Sequence, residues 1–163
     1  MTQQELSHAL RKEAIKNGHA VQTLASGYSM FPFLRKGDLL TVEPVSMDKI
    51  KRGDVVVFES DEKWIAHRVI KIRNGAAGLE FLLRGDTCIE FDPAVNVRNY
   101  IGHISSCERN KTSISFNLIS KKINTKIHLF GGIFLCRLLN YSIRALNVIK
   151  SIRNDENRTK LKN

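Results

Sequence analysis

Cysteine is scarce: three residues, at 88, 107 and 136, leave an odd count with no C-x-x-C pair. That excludes a disulfide framework and a cysteine-based zinc site, and it fits a reducing compartment. The basic C-terminal region has no interleaved aromatics and no nucleic-acid-binding signature, so no nucleic acid is expected as a partner. The N-terminus, MTQQELSHALRKEAIKNG, has no apolar run of signal-peptide or membrane-span length, which points to a body on the cytoplasmic side. Acids are lacking in one region only. Residues 107–163 hold twelve Lys or Arg against three Asp or Glu, while the residues before them are nearly balanced, so the net charge of +10 belongs to the tail.

What is present reads as one ordinary globular domain with an appendage, at 42% hydrophobic and 26% charged residues over 163 positions. Leu6, Ala9, Leu10, Ala14 and Ile15 recur at helical spacing and Asn17-Gly18 supplies a stop, so residues 1–18 are expected to hold a helix. From 19 to 107 the pattern changes to short β-type runs, AVQTLAS, DLLTVEP, DVVVFES, WIAHRVIKIR, LEFLLRG and YIGHIS, divided by turn residues. The expected class is mainly β. Lys36-Gly37-Asp38, Arg52-Gly53-Asp54 and Arg84-Gly85-Asp86 resemble a repeat, but their irregular spacing reads more economically as three turns. Ala77-Gly78, between two strand-like runs, reads as a hairpin turn.

Residues 108–126 form a basic connector with one strand-like run, SISFNLIS, and residues 127–153 turn strongly apolar at helical period. Arg137, Asn140, Arg144, Asn147 and Ser151 draw one polar stripe along that helix. Two arginines near the middle disfavour a membrane span, at about 2.5–3.5 kcal/mol each on insertion scales. They suit an amphipathic helix lying on an anionic membrane surface, with Lys121, Lys122, Lys126, Lys150 and Arg153 nearby, while a helix that packs on the β body as structural cover is the alternative. Residues 154–163 are expected to be a solvated end.

The chemistry concentrates in three segments. In GYSMFPFLRKGD, Ser29 sits between a permissive Gly27 and a rigid Pro32, as a nucleophile held in a tight turn requires. In WIAHRVIKI, His67 lies on a strand, and neutral imidazole is the commonest base for a serine. LLRGDTCIEFD supplies Asp86 and Asp92, either of which could hold the imidazole in its working tautomer, with Asp86 expected to matter more. Tyr28, Met30 and Phe31 divide between core packing and the wall of a peptide-binding cleft. Cys88 lacks a basic activator and reads as structural. No metal site and no cofactor is called for.

The ordered set G-x-S-M-x-P, G-D-V-V-V-F, H-R-V-I, R-G-D with an acid six residues on, and Y-I-G-H-I resembles the signal peptidase I family over about residues 20–104. It is most similar to the endoplasmic-reticulum and archaeal branch, which pairs Ser with His rather than Lys. The resemblance implies a Ser29 nucleophile, a His67 base, Asp86 and Asp92 as the two acids, and a precursor polypeptide as substrate. Two features depart from that family. Gly27 stands where a hydroxyl residue usually assists the oxyanion, and no membrane helix precedes the serine. Both lean toward the related self-cleaving repressors of the LexA kind. Those, however, use a lysine in place of His67 and carry a helix-turn-helix domain, for which the roughly 25 residues before the β region leave too little room.

Overall fold

In the computed structural model, which describes residues 3–76 and 78–115, the N-terminal periodicity folds as helix α1, Gln3–Lys16. It ends where Gly18 takes φ +82°. The Gly18 N–H then donates to the Ile15 carbonyl at 3.0 Å and the His19 N–H to the Ala14 carbonyl at 2.9 Å. This pair of bonds satisfies carbonyls that a helix C-terminus otherwise orphans, and the left-handed turn between them is what asks for glycine.

Seven strands follow: β1 Val21–Leu24, β2 Leu39–Glu43, β3 Val55–Ser60, β4 Lys63–Gly75, β5 Gly78–Arg84, β6 Tyr100–Arg109 and β7 Thr112–Ser115, with a short 3-10 turn at Met47–Lys49. All pairings are antiparallel, in the order β1-β2-β6-β3-β4-β5, with β7 also paired to β6. The protein is therefore mainly β, as its punctuated apolar runs imply. The β4–β5 hairpin sets Gly75 opposite Gly78. The sheet extends beyond residue 107, because β6 continues to Arg109 and Thr112–Ser115 folds back on it as β7.

DVVVFES carries no polar alternation because β3 is covered on both sides. Val55 and Val57 enter one core with Ile15, Met30, Leu34, Leu40, Val42 and Ile104, while Val56 and Phe58 enter a second with Val69, Phe81, Leu83 and Val95. Successive side chains of a strand point to opposite faces, so a strand between two cores reads as continuous hydrophobicity. Burying each such side chain contributes about 1.5–3 kcal/mol.

The three Gly-Asp turns are alike in sequence and unlike in their partners. Asp38 and Asp54 accept the backbone N–H of the residue three before, Arg35 at 2.7 Å and Lys51 at 2.8 Å. Asp38 also takes both arms of Arg109, at 2.8 and 2.6 Å. Asp86 instead gives both its oxygens to Arg68, at 2.7 Å each.

Residues 116–163, which include most of the connector, the apolar segment 127–153 and the tail 154–163, lie outside the described residues. Among the described residues no helix is long and apolar enough to cross a membrane.

Candidate active site

Ser29 lies in a turn between β1 and β2. The turn is closed by the Phe31 N–H on the Tyr28 carbonyl and by the N–H groups of Phe33 and Leu34 on the Met30 carbonyl, all at 3.0 Å. Met30 and Leu34, each 3% exposed, root it in the first core. His67 stands on β4 opposite Val56, with its ring 6.0 Å from that of Phe58. Asp92 comes from the loop after β5, held by its own N–H on the Leu83 carbonyl at 3.0 Å.

Three side chains distant in sequence thus meet. Ser29 Oγ is 3.0 Å from His67 Nε2, and His67 Nδ1 is 2.6 Å from Asp92 Oδ2. A carboxylate can only accept, so Nδ1 carries the proton and donates it to Asp92. The Nε2 lone pair is then left for the Ser29 hydroxyl, which donates to it. His67 is 7% exposed and Ser29 is half-buried, so this chain of bonds is largely shielded from water.

The expectation that Asp86 is the more important partner of His67 is corrected. Arg68 follows His67 on the strand and therefore points to the opposite face. There its guanidinium grips Asp86 in a fork, donates to the Gly53 carbonyl at 2.8 Å and lies 5.3 Å over the Phe33 ring. Both side chains of this pair are buried, and Asp86 serves the scaffold around the serine turn rather than the imidazole.

Met30 is a second correction: its burial in the first core removes it from any cleft wall. Tyr28 is 51% exposed beside Ser29. Phe31 is half-buried, with the Arg35 guanidinium 5.6 Å over its ring.

Two residues beyond those singled out in the sequence belong to this site. A Cβ on Gly85 would lie 2.8 Å from the Ser29 carbonyl oxygen, 2.9 Å from His67 Nε2 and 2.8 Å from Cys88 Sγ. Only a residue without a side chain lets the turn approach both Ser29 and His67 this closely. Thr87 donates its backbone N–H to the Ser29 carbonyl at 2.9 Å, and its hydroxyl lies 3.1 Å from that same oxygen and 3.2 Å from the Tyr28 carbonyl. The R-G-D-T string carried this signal, masked by its likeness to the other two Gly-Asp turns.

The electrostatics separate reactive from inert groups. Burial, then the Asp92 charge, pushes the Cys88 thiol up, which disfavours the reactive thiolate. Burial and the neighbouring Asp38 raise the Cys107 thiol to about 11. The Arg109 guanidinium holds the Asp38 carboxyl below its usual range against the opposing effect of burial. Gly27 has open space where its side chain would be. Among the described residues no three of His, Cys, Asp and Glu converge as a metal-binding cluster.

A family model described as Peptidase S24-like matches residues 2–80. The matched stretch takes in α1, Ser29 and His67 and ends before Asp86 and Asp92. No curated protein matches the chain. The family match, together with the antiparallel β architecture, supports the LexA/signal-peptidase-like superfamily of serine peptidases.

Proposed function

We propose that this protein is a serine endopeptidase of the Ser-His type, similar to signal peptidase I, that removes a leader or signal segment from a precursor polypeptide. The continuous Ser29–His67–Asp92 chain of hydrogen bonds carries this reading. A buried imidazole bonded on one side to a hydroxyl and on the other to a carboxylate is the arrangement that activates a serine at neutral pH.

The substrate docks as an added strand on the outer edge of β1, which no other described strand pairs. Ala25 spends its N–H on the Asp38 carbonyl and its carbonyl on the Gly37 N–H, both at 2.8 Å. By antiparallel alternation, the backbone groups of Leu24 and Ser26 face away from the sheet and are open to a peptide leading toward Ser29. Leu24 and Tyr28 expose 65% and 51% of their surface along that path. His67 takes the Ser29 proton as Oγ attacks the scissile carbonyl, and the developing oxyanion is assigned to the backbone N–H of Ser29. The imidazolium, stabilised by Asp92, then protonates the leaving amine, and neutral His67 activates the water that releases the acyl group. No metal or organic cofactor enters this scheme. The apolar segment 127–153, with its arginine stripe, is proposed to hold the protein at the cytoplasmic face of an anionic membrane.

A second reading, a peptide-binding module without catalysis, is favoured by Gly27, which offers no hydroxyl to the oxyanion. One experiment separates the two. A proteome-derived peptide library is incubated with the full chain and with Ser29→Ala, and new termini are sequenced by mass spectrometry. The protease reading expects cuts present with the native chain and absent with Ser29→Ala. Peptide capture with identical termini in both would establish the binding module instead.

A further inference from the structure

Behind the acid side of the triad lies a groove of about 580 Å³, lined by Arg52, Ile70, Lys71, Ile72, Leu82 and Phe91. Its shape comes from a β-bulge. The β4–β5 register jumps from Val69↔Leu83 to Lys71↔Leu82, which leaves Ile70 as the extra residue. The jump returns Ile72 to the second core and turns Lys71 outward, a re-aiming that bulges produce. The Arg52 turn is fastened alongside by the Gly53 N–H on the Val69 carbonyl at 2.8 Å.

The groove has an apolar floor and a cationic rim. Arg52 and Lys71 are exposed and, among the described residues, form no ion pair. A third cation, Arg84, lies 5.2 Å over the Phe91 ring. Glu80, on the same strand as Leu82, is already engaged by Arg73 at 3.1 Å. None of the lining residues belongs to the Ser29 turn, and Phe91 immediately precedes Asp92, so the groove is separate from the scissile site yet joined to it through the loop after β5.

We propose that this groove is an exosite for an apolar, acidic segment of the polypeptide substrate, distinct from the residues bound beside Ser29. Apolar side chains of the segment lie on Ile70, Leu82 and Phe91 while its carboxylates meet Arg52 and Lys71. The volume falls in the range of ordinary ligand pockets and admits about two or three side chains. The groove is open to solvent, and its apolar floor beside two exposed cations matches a segment that alternates apolar and acidic side chains. The inference rests on the protease reading in calling the occupant a substrate, but docking is measurable without cleavage.

The test uses the full chain carrying Ser29→Ala and the fluorescence anisotropy of a short labelled peptide alternating Leu and Glu, with a Leu/Lys peptide as its counterpart. The Leu/Glu peptide is expected to bind. The double variant Arg52→Glu/Lys71→Glu, its fold verified by circular dichroism, is expected to weaken binding about tenfold or more, and Leu82→Asn to weaken it without changing the preference for Glu over Lys. No binding, equal binding of both peptides, or binding unaffected by the charge reversal would overturn the proposal. Vesicle binding abolished by that reversal would assign the groove to lipid and overturn it as well. A native chain that cuts precursors while Ser29→Ala fails to hold the peptide refutes the exosite alone. A chain that holds the peptide and never cuts refutes the protease reading alone.

Discussion

Two turns of this molecule, Gly37-Asp38 and Gly85-Asp86, share a dipeptide and a device: each aspartate is buried under the forked guanidinium of an arginine from a distant strand. They differ in what the glycine does. Gly37 takes φ +91° with open space around its Cα, so it is there for backbone conformation. Gly85 is there for room, since its backbone lies against both the serine turn and the imidazole. The first turn fixes the fold, and the second also sets the distance between Ser29 and His67. The same dipeptide therefore takes a different place in the molecule from its neighbours alone.

The comparison breaks most visibly at the arginines. Arg68→Ala would strand Asp86, buried and unpaired, and should cost about 3–5 kcal/mol of stability in urea unfolding. Next comes Gly85→Ala. Displacing the serine turn or the ring should lower the cleavage rate about a hundredfold, with a stability loss of only about 1–3 kcal/mol. The same change at Gly37 should leave the rate per folded molecule unchanged.

The pH dependence of the first turn comes third. Arg109 keeps Asp38 charged in the folded state at pH values where the unfolded chain already binds a proton. The stability this pair supplies is therefore complete above the unfolded carboxylate value of about 4 and drains away as pH falls through the lower folded value. Asp38→Asn should lower stability at neutral pH and flatten the acid limb of the thermal midpoint against pH. The smallest effect on stability is expected at Gly27→Ser. A side chain fits there without contact, so stability should be unchanged, and a hydroxyl that reaches the oxyanion should raise the cleavage rate.

Much of the fold was legible because turn chemistry divides the chain into runs of strand length, and the Asn17-Gly18 stop reads directly as a helix cap. Ser29 and His67 were legible from motif order. The choice between Asp86 and Asp92 was not, because it depends on which face of β4 each neighbour occupies. His67 and Arg68 are adjacent in sequence and back to back in space, and each claims a different acid. Met30 stayed divided between core and cleft wall because a turn reverses direction within a few residues, so that Tyr28 emerges into solvent and Met30 enters the core. Gly85, Thr87 and the groove at Ile70 arise from close approach and from a register shift, neither of which leaves a periodicity to read.

The central claim is that Ser29, His67 and Asp92 act as one unit while Asp86 holds the frame. Its most direct test is the cleavage rate of Asp92→Asn set against Asp86→Asn, each normalised to the fraction folded. Losing the acceptor that fixes the imidazole tautomer should cost about four orders of magnitude at Asp92. Asp86→Asn should lose stability and retain a rate within about tenfold of the native chain. A large loss at Asp86 with a native rate at Asp92→Asn would contradict the account.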